Sequence, residues 1–528
     1  MRMHDQQKFR AAMIAGLLAC AALLVVRPAS ADDAPRSYIA SPDVYKVIAE
    51  TNKTRVILAT WQPGQRDAWH SHPVTGVYFL TDCEARIYSP DGKFVDVSPK
   101  AGRAVVQAAI PSHSFENRSK RGVQVHYFRA RVGLAAARVQ YGHEMRYPNW
   151  KDHSCLPYFW AILIFLCSRV VVVLGLVFSQ KYLPIATDVW SAGPFWYHQL
   201  LQWDSEWYFK IATAGYQYSG DPTVQQNIVF YPLYPMLARG LAASCGLATS
   251  DALLLVSNVA GLLAIVVLFK LVREEFGDQL ALATTALLSF FPASVLLSAG
   301  YTEPLELLLT ASFFLVLKRS RYLPAALLAG LAVADRSTGI VLLPVLLWEM
   351  WLNRNQRPLL PALIPCVLVA TSGLWLFMLY LWYCFGDPLV FSEGQAAFHL
   401  GTTLVARLTA ALELEPFTRM ILNDWNPWGQ SSWFTLLFIV LIVVGWPRLR
   451  VSWTLYATGT LLLPYLTLSG GPAGFVSMSR FNLVSFPLFV VLAGLGLRAR
   501  WLLVGVIGLF SASLFMSTAL FARRIWIG

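Results

Sequence analysis

The sequence predicts a multi-pass α-helical membrane protein preceded by a small all-β domain. Of the 528 residues, 56% are hydrophobic and 14% are charged, and the mean hydropathy is +0.51. A chain this apolar and this poor in charge is typical of a polytopic membrane protein rather than a soluble one. Long apolar runs fill residues 156–528, whereas residues 32–132 consist of short alternating runs separated by turn residues. The two textures therefore divide the chain into two unlike parts.

The net charge of +12 indicates membrane topology rather than nucleic-acid binding. Arginine and lysine lie in small clusters at the ends of apolar runs, not on one basic face, so we predict no nucleic-acid partner. The seven cysteines form no CxxC pattern, and several lie inside apolar runs. The sequence therefore predicts neither a disulfide framework nor a cysteine-based zinc site.

Residues 1–31 have the features of a secretory signal peptide. Lys8 and Arg10 precede the apolar run AAMIAGLLACAALLVV, and the small residues ASA follow it. This pattern predicts cleavage after Ala31, with an uncleaved signal anchor as the alternative. Residues 133–155 form a basic linker between the β-domain and the first long apolar run.

Histidines mark the β-domain, residues 32–132. The segment PGQRDAWHSH places His70 and His72 on one face of a strand, and IPSHSFENRS places His113 on a later strand. The pattern resembles the two motifs of the cupin barrels, which implies a divalent transition metal held by the three histidines. The glutamate that cupins usually add is Val77 here. A metal-free barrel remains the alternative, and no reaction follows from this domain.

Apolar runs of roughly 20 residues, the length that crosses a bilayer, predict about 11 spans in residues 156–528. One orientation places most short basic loops on the same side, as the positive-inside rule requires, and Arg523 and Arg524 are the main exceptions. This orientation requires that residues 227–244 lie at the membrane surface. Their prolines, tyrosines and Arg239 make them a poor span.

Several motifs in the membrane part carry a family resemblance. In chain order they are WDSEWYFKIATAGY, FYPLYP, SNVAGLLAIVVLFKLVREEFG, FPASVLLSAGYTEPLELLLTASF, DRSTGIVLLP and SRFNLVSFPLF. Their order resembles bacterial members of the PIG-V-like (GPI mannosyltransferase 2) group of GT-C membrane glycosyltransferases, over residues 156–528. The resemblance implies a polyprenyl-phosphate-linked sugar donor, usually mannose, and transfer to a hydroxyl acceptor on the exoplasmic face. The sequence shows no cofactor requirement for the transferase.

Asp204 matches the family's acidic position in the first outer loop. A GT-C enzyme deprotonates an acceptor hydroxyl while a polyprenyl phosphate leaves the anomeric carbon, so it needs one carboxylate base, and the sugar's configuration inverts. Glu206 is the second acid, which either orients the acceptor or merely solvates the loop. Trp203 and Trp207 flank the acids and either stack on a sugar face or anchor the loop at the headgroups.

Three further charged residues are candidates for substrate binding. Glu303 opens a helix, where helix capping alone would explain it, and hydroxyl binding is the second hypothesis. Arg480 ends a span and suits the donor phosphate, with snorkelling to the headgroups as the alternative. Arg336 lies between two short apolar segments, where it would pair with Asp335 and line a donor groove.

Other polar residues receive weaker roles. Arg169 lies in mid-span and should face the bundle interior, because a charge at the bilayer centre is costly. His198 and His399 lie near the outer face and are expected to be ordinary loop histidines.

A transporter or flippase of lipid-linked sugars is the alternative class, since its broken helices and buried charges would look similar. An acidic aromatic loop outside the bilayer is of more use to an enzyme, so the sequence favours the transferase. We expect a bacterial inner-membrane protein that contacts membrane lipids, with its active site facing the periplasm.

The topology signals disagree at one point. An export signal followed by a span at 159–178 would place Asp204 in the cytoplasm, whereas the basic linker holds the start of that span inside. We follow the more numerous membrane-domain signals and place Asp204 outside. The side of the β-domain stays open between a cytoplasmic domain, an extra membrane pass and a fusion of two reading frames.

Overall fold

A computed structural model describes most of the chain, which forms two compact units, Met1–Arg138 and Val139–Gly528. The predicted signal peptide, 1–31, and the predicted linker, 133–155, lie outside the described residues. Those residues are 35–50, 54–72, 75–107, 110–130, 156–184, 190, 193–354, 359–399, 403–413, 415, 430–467 and 477–526.

The first unit is a β-domain of two antiparallel sheets, as the sequence predicts. A five-stranded sheet has the order β1-β2-β9-β4-β7, and a four-stranded sheet has the order β3-β8-β5-β6. A short helix, α1 (Ser37–Ala40), precedes them. The strands are β1 (Tyr45–Glu50), β2 (Thr54–Trp61), β3 (His70–His72), β4 (Thr75–Phe79), β5 (Ala85–Tyr88), β6 (Phe94–Val97), β7 (Ala104–Gln107), β8 (Ile110–Asn117) and β9 (Val123–Ala130).

Alternating side chains build the core of this unit. Along β2, Ile57, Ala59 and Trp61 are buried while the residues between them are partly exposed, which is the period of two that a half-buried strand requires. Trp61 packs against Phe115 of β8 with ring centroids 4.4 Å apart. The two sheets are thus joined by an aromatic core.

The second unit is a helical bundle. Its helices are α2 (Leu156–Tyr182), α3 (Asp204–Ala214), α4 (Leu233–Cys245), α5 (Thr249–Phe276), α6 (Asp278–Phe290), α7 (Glu303–Leu317), α8 (Tyr322–Asp335), α9 (Leu342–Leu352), α10 (Leu359–Ala370), α11 (Ser372–Phe385), α12 (Val390–Glu393), α13 (Ala396–His399), α14 (Leu404–Leu412), α15 (Gln430–Gly445), α16 (Val451–Thr467), α17 (Met478–Leu483), α18 (Phe486–Gly496) and α19 (Arg500–Phe521). Short 3₁₀ turns span Trp196–Leu200, Asn227–Val229, Pro292–Leu297 and Ser337–Val341.

Three described helices are long and apolar enough to cross a membrane: α2, α5 and α19. The pair α10 and α11 passes the same test if its 55° bend lies within one span. Shorter apolar helices cover Tyr322–Asp335, Ser337–Leu352, Ser431–Gly445 and Phe486–Gly496. The helical membrane architecture is confirmed, but the predicted number of about 11 spans is not, because many apolar runs fold as helices shorter than the roughly 20 residues a straight span needs.

Glycines allow close packing around α8. A Cβ added to Gly330 would lie 2.3 Å from the Val369 carbonyl oxygen, and one added to Gly373 would lie 2.2 Å from the Ala334 nitrogen. Backbones that approach this closely are typical of helix packing in membranes. The C-terminal end of α8, which carries Asp335 and leads into Arg336, is therefore held firmly in place.

The segment predicted at the membrane surface folds as a short element. Residues 227–244 contain the 3₁₀ turn Asn227–Val229 and most of α4, a helix of 13 residues. That length is too short for a span. Tyr234 of α4 instead donates a hydrogen bond from its hydroxyl to the Leu253 carbonyl of α5 at 2.9 Å.

Candidate active site

Asp204 is the first residue of α3, where the positive end of the helix dipole favours a carboxylate. The residue before it, Trp203, has φ 57° and ψ −115°, an uncommon conformation for a side chain of this size. Such backbone geometry persists only where the surrounding structure enforces it, and it often marks functional sites. The Asp204 side chain is 26% exposed, so its carboxylate is partly open to an incoming group.

A chain of ion pairs links Asp204 to the interior. Arg480 contacts the Asp204 carboxylate through Nη1 and the Glu303 carboxylate through Nε. Arg336 donates from Nη1 to the same Glu303 oxygen at 2.6 Å. Glu303 is fully buried and accepts from both guanidinium groups, which offsets the cost of removing its charge from water. Three predicted site residues are thus joined to Asp204 in one network.

The network continues one helical turn further along α7. Glu306 lies 3.6 Å from Arg336 Nη1 through Oε2, and it accepts a hydrogen bond from the Thr338 hydroxyl at 2.5 Å through Oε1. Sequence reasoning missed Glu306. The signal was present, because positions three apart on a helix share a face, and two acids three apart in the apolar run EPLELLL should project to the same place.

A cavity of about 240 Å³ lies beside this network. Its volume is below the ~300–1,000 Å³ of typical ligand pockets, so it suits one sugar-sized group rather than a whole lipid. Its wall combines charged and aromatic side chains. The lining residues are Asp204, Tyr208, Val229, Phe230, Tyr231, Asp335, Arg336, Ser337, Gln395, Phe398, Ser477, Arg480, Phe481 and Trp526.

The other predicted residues of the acidic loop lie outside the cavity wall. Glu206 faces Lys210 at 2.9 Å and Arg524 at 3.4 Å. Trp203 packs edge-on against Trp526, with ring centroids 5.5 Å apart. The contacts of Glu206 and Trp203 therefore stabilise the loop, and neither side chain faces the cavity as a ligand-binding group would.

Trp207 is also one layer behind the cavity. Its ring stacks on Phe230 with centroids 6.0 Å apart, and Phe230 lines the cavity. The Lys210 ammonium lies 4.6 Å from the centroid of the Trp207 ring. Trp207 therefore positions a wall residue and does not itself form the wall.

The structure corrects the expected partner of Arg336. Sequence adjacency suggested Asp335, but the Arg336 guanidinium pairs with Glu303 and Glu306 on α7. The reason is geometric: the backbone of Arg336 is extended, with φ −162°, and directs consecutive side chains to different places. Asp335 remains in the cavity wall, as does Arg336.

Two minor predictions can be compared with the structure. Arg169 of α2 donates to the Ser294 carbonyl at 2.8 Å and to the Ser298 hydroxyl at 3.0 Å, so it faces the bundle interior as predicted. His198 is buried, lies 2.9 Å from Asp251 Oδ1 and is not among the residues that line the cavity. The side chain of His399 lies outside the described residues.

The end of the described chain reaches the site. Arg523 donates to the Ser179 carbonyl at the end of α2 through Nε at 3.1 Å, Arg524 meets Glu206, and Trp526 lines the cavity. Arg523 and Arg524 are the two exceptions to the positive-inside pattern. Both side chains have partners within the bundle, Arg523 at the end of α2 and Arg524 in the acidic loop.

The β-domain brings His70, His72 and His113 together, with one nitrogen of each within 4.8 Å of the others. His70 Nδ1 lies 2.7 Å from the Ala68 carbonyl, a contact that places its proton there and leaves Nε2 for a ligand. His113 is buried, and neither of its ring nitrogens has a hydrogen-bond partner among the described residues. Such an arrangement of three imidazoles fits a divalent transition metal.

The environment keeps His72 and His113 neutral. Burial, followed by the proximity of His70 and His113, lowers the pKa of His72 to about 2. Burial, followed by the proximity of His70, lowers the pKa of His113 to about 3. Neutral imidazoles have the free electron pair that metal binding requires.

An oxygen donor also approaches the three histidines. The Tyr45 hydroxyl lies 3.1 Å from His70 Nε2 and donates to Asp67 Oδ2 at 2.9 Å. Val77, at the expected glutamate position, is buried in β4. Sequence reasoning missed Tyr45, because it precedes the first histidine motif by 25 positions.

The second unit combines apolar helices of membrane-spanning length with a cavity lined by charged and aromatic side chains, which is the architecture of a membrane protein with an internal polar site. Comparison with known proteins is more specific: residues 161–354 match the family model Mannosyltransferase (PIG-V). The match confirms the resemblance over this part of the chain. The matched residues include Asp204, Glu303, Asp335 and Arg336, whereas Arg480 lies beyond them.

Curated relatives match the same region. GPI mannosyltransferase 2 of Cryptococcus neoformans is 34% identical over 152 residues, covering 26% of this chain and 34% of the relative. GPI alpha-1,6-mannosyltransferase 2 of Mus musculus is 35% identical over 158 residues, covering 28% and 31%. The chain thus spans about a third of the length of these relatives.

Solved structures resemble each unit. ArnT from Cupriavidus metallidurans aligns with 70% of this chain and 77% of its own length, at 14% identity and a TM-score of 0.38. A cupin domain from Bordetella pertussis aligns with 19% of this chain and all of its own, at 16% identity and a TM-score of 0.16.

Proposed function

We propose that this protein is a membrane glycosyltransferase that moves a hexose, mannose in the first instance, from a polyprenyl-phosphate-sugar to an acceptor hydroxyl. The reaction takes place on the exoplasmic face of a bacterial inner membrane, and Asp204 is the general base. The observation that carries the proposal is the partly exposed Asp204 carboxylate in a sugar-sized cavity, tied to the buried Arg480–Glu303–Arg336 network. The match to the PIG-V family model supplies the class of reaction.

The geometry suits a single-displacement reaction. Arg480 contacts Asp204 through Oδ2 and fixes the orientation of the carboxylate, so Oδ1 can accept the proton of the incoming hydroxyl. The acceptor oxygen attacks the anomeric carbon as the bond to the phosphate oxygen breaks, so the configuration at that carbon inverts. The proton goes to Asp204 and the electron pair leaves with the polyprenyl phosphate.

The two arginines supply charge for the leaving phosphate. Arg480 uses Nε and Nη1 for its carboxylate contacts, and Arg336 uses Nη1. The remaining guanidinium nitrogens of these two cavity-lining residues donate no hydrogen bond to a carboxylate among the described residues. They can bind phosphate oxygens, with which guanidinium groups form strong charge-assisted hydrogen bonds. Such donors stabilise the negative charge that develops as the phosphate leaves.

The reaction is tested with membranes that contain the full chain, incubated with labelled polyprenyl-phosphate-mannose. Asp204→Asn should reduce transfer by about 10²- to 10⁴-fold, the usual contribution of a general base. Asp221→Asn, an exposed loop position, is the matched control and should leave the rate unchanged. Equal transfer by wild type and Asp204→Asn would remove Asp204 as the base. If the protein moves the lipid-linked donor across the membrane but transfers no sugar from it, the protein belongs to the transporter class.

The side of the membrane is tested by chemical labelling. Gln217→Cys lies in the exposed segment after α3, and Arg319→Cys lies in a basic loop of the expected inner side. In a variant without other cysteines, an impermeant maleimide added to intact cells should label position 217 only. Labelling of position 319 only would place the cavity on the cytoplasmic side and contradict the proposed topology.

We further propose that the β-domain binds a divalent transition metal through His70, His72 and His113, with the Tyr45 hydroxyl as a nearby oxygen donor. The orphaned buried nitrogens of His113 carry this proposal. When bound, the metal would act as a Lewis acid with an open coordination position. Asp67, which accepts from Tyr45 and from the Trp61 indole at 3.0 Å, orients the Tyr45 hydroxyl.

Metal analysis of the purified full chain after incubation with Co²⁺ tests this site. Wild type should retain about one equivalent with the visible spectrum of a low-coordinate cobalt site, and His113→Ala should retain none. His126→Ala, on β9, is the matched control and should bind like wild type. Equal retention by all three proteins would contradict the site.

A further inference from the structure

Asp335 is the last residue of α8 and lies in the cavity wall with Asp204. The residue is 1% exposed, and neither carboxylate oxygen has a hydrogen-bond partner among the described residues. Buried polar groups are almost always hydrogen-bonded, so an unpaired carboxyl group beside a cavity needs an explanation. The reaction proposed above does not use it.

The side chains next to Asp335 in the chain do not donate a hydrogen bond to its carboxyl group among the described residues. The guanidinium of Arg336 is engaged with Glu303 and Glu306, and the Thr338 hydroxyl donates to Glu306. Tight packing at Gly330 and Gly373 fixes the end of α8, so the carboxyl group is held in position with open hydrogen-bonding capacity. A fixed, unsatisfied acceptor next to a cavity is what a preorganised binding site provides.

We propose that Asp335 binds hydroxyl groups of the donor sugar and thereby determines which sugar is transferred. This inference rests on the proposed function, and it gives Asp335 a role in positioning and specificity rather than in proton transfer. Two carboxylate oxygens can accept hydrogen bonds from two neighbouring hydroxyls of a hexose. Binding requires a small movement of the wall, because the carboxylate oxygens are buried.

The surroundings favour a sugar over a metal cation. Arg336 and Arg480 line the same cavity, and a further cation would lie beside two like charges. Tyr208 and Phe481 add aromatic surface to the wall, against which the apolar face of a sugar ring packs well. The arginines would meet the phosphate while Asp335 meets the ring.

The test measures binding of short-chain polyprenyl-phosphate-mannose to the purified full chain in detergent, together with its single-deoxy analogues and polyprenyl phosphate alone. In wild type, removal of one hydroxyl or of two adjacent ones should weaken binding at least about tenfold, because a hydrogen bond to the buried Asp335 carboxyl group is lost. In Asp335→Ala the same analogues should bind no worse than the complete donor. Polyprenyl phosphate alone should bind equally to both proteins.

Asp335→Asn provides the second variant, because it has the same shape and keeps one acceptor. It should fold with the wild-type unfolding temperature and show an intermediate penalty for the same hydroxyl. If the deoxy analogues bind more weakly than the complete donor by the same factor in Asp335→Ala as in wild type, and wild type still transfers mannose, this inference is wrong and the proposed function stands. Wild type that neither binds nor transfers the donor would overturn both, and donor binding that EDTA abolishes would assign a cation to the site instead.

Discussion

Arg480 forms a salt bridge with Asp204, although the two residues lie 276 positions apart. The contact joins the first residue of α3 to the short helix α17, which lies outside residues 161–354, the part that matches the PIG-V family model. Both helices begin directly after a residue with positive φ, Trp203 before α3 and Ser477 before α17. The site is therefore completed by the last part of the chain.

Arg480→Lys should reduce transfer by about ten- to a hundredfold. A lysine keeps the charge but cannot contact Glu303 and Asp204 at once with the planar geometry of a guanidinium. The loss of one charge-assisted hydrogen bond corresponds to about 1.5–3 kcal/mol. Transfer of label from polyprenyl-phosphate-mannose measures the effect, and Arg498→Lys, at a loop position between α18 and α19, is the control. A wild-type rate in Arg480→Lys would show that the paired contact is dispensable.

Glu303→Gln should destabilise the bundle by about 3–5 kcal/mol, because it leaves Arg336 and Arg480 without their shared buried counter-charge. Thermal unfolding in detergent measures the change, and Glu393→Gln, at an exposed position, should unfold like wild type. An unfolding temperature equal to that of wild type would mean that Glu303 serves only as a helix cap.

Glu206→Gln should transfer mannose within about threefold of the wild-type rate. Its partners Lys210 and Arg524 are partly exposed, and exposed ion pairs contribute only about 0–1 kcal/mol. Glu206 and Asp204 are both acids of one loop, yet this variant and Asp204→Asn should differ sharply in the same assay. A loss of transfer rate as large as that of Asp204→Asn would show that Glu206 takes part in the reaction.

Trp526→Ala should raise KM for the donor several-fold with little change in kcat, because Trp526 forms cavity wall and braces Trp203. Trp501→Ala, which removes an exposed ring from α19, serves as the matched control. An unchanged KM would show that the end of the described chain takes no part in donor binding.

Much of the candidate site can be predicted from the sequence alone. Local pattern is enough to single out an acidic residue at the start of a loop helix, an acid opening α7, and the arginines Arg336 and Arg480. These residues are charged but lie within apolar sequence. A charge there costs free energy of membrane insertion, so its presence indicates a functional role. The three histidines of the β-domain can also be recognised, since His70 and His72 lie two apart on one strand and His113 belongs to a second motif on a later strand.

Other features depend on the fold. Tyr45 and Trp526 are ordinary aromatic residues in the sequence, and nothing local indicates that one approaches the histidines and the other lines the cavity. Adjacency makes Asp335 the simplest partner for Arg336, whereas the extended backbone directs the arginine to α7. The predicted number of spans is not confirmed, because bends and short helices cannot be recognised from apolar length alone.

The two kinds of domain, the PIG-V motifs and the candidate base can all be read from the amino-acid sequence, because composition, periodicity and local motifs are properties of short segments. The folded chain is needed to learn which charges pair, that Glu206 is turned away from the cavity, and that Asp335 has no hydrogen-bond partner among the described residues. Pairing depends on distances between residues that are remote in the chain, and those distances are set by helix packing rather than by sequence order.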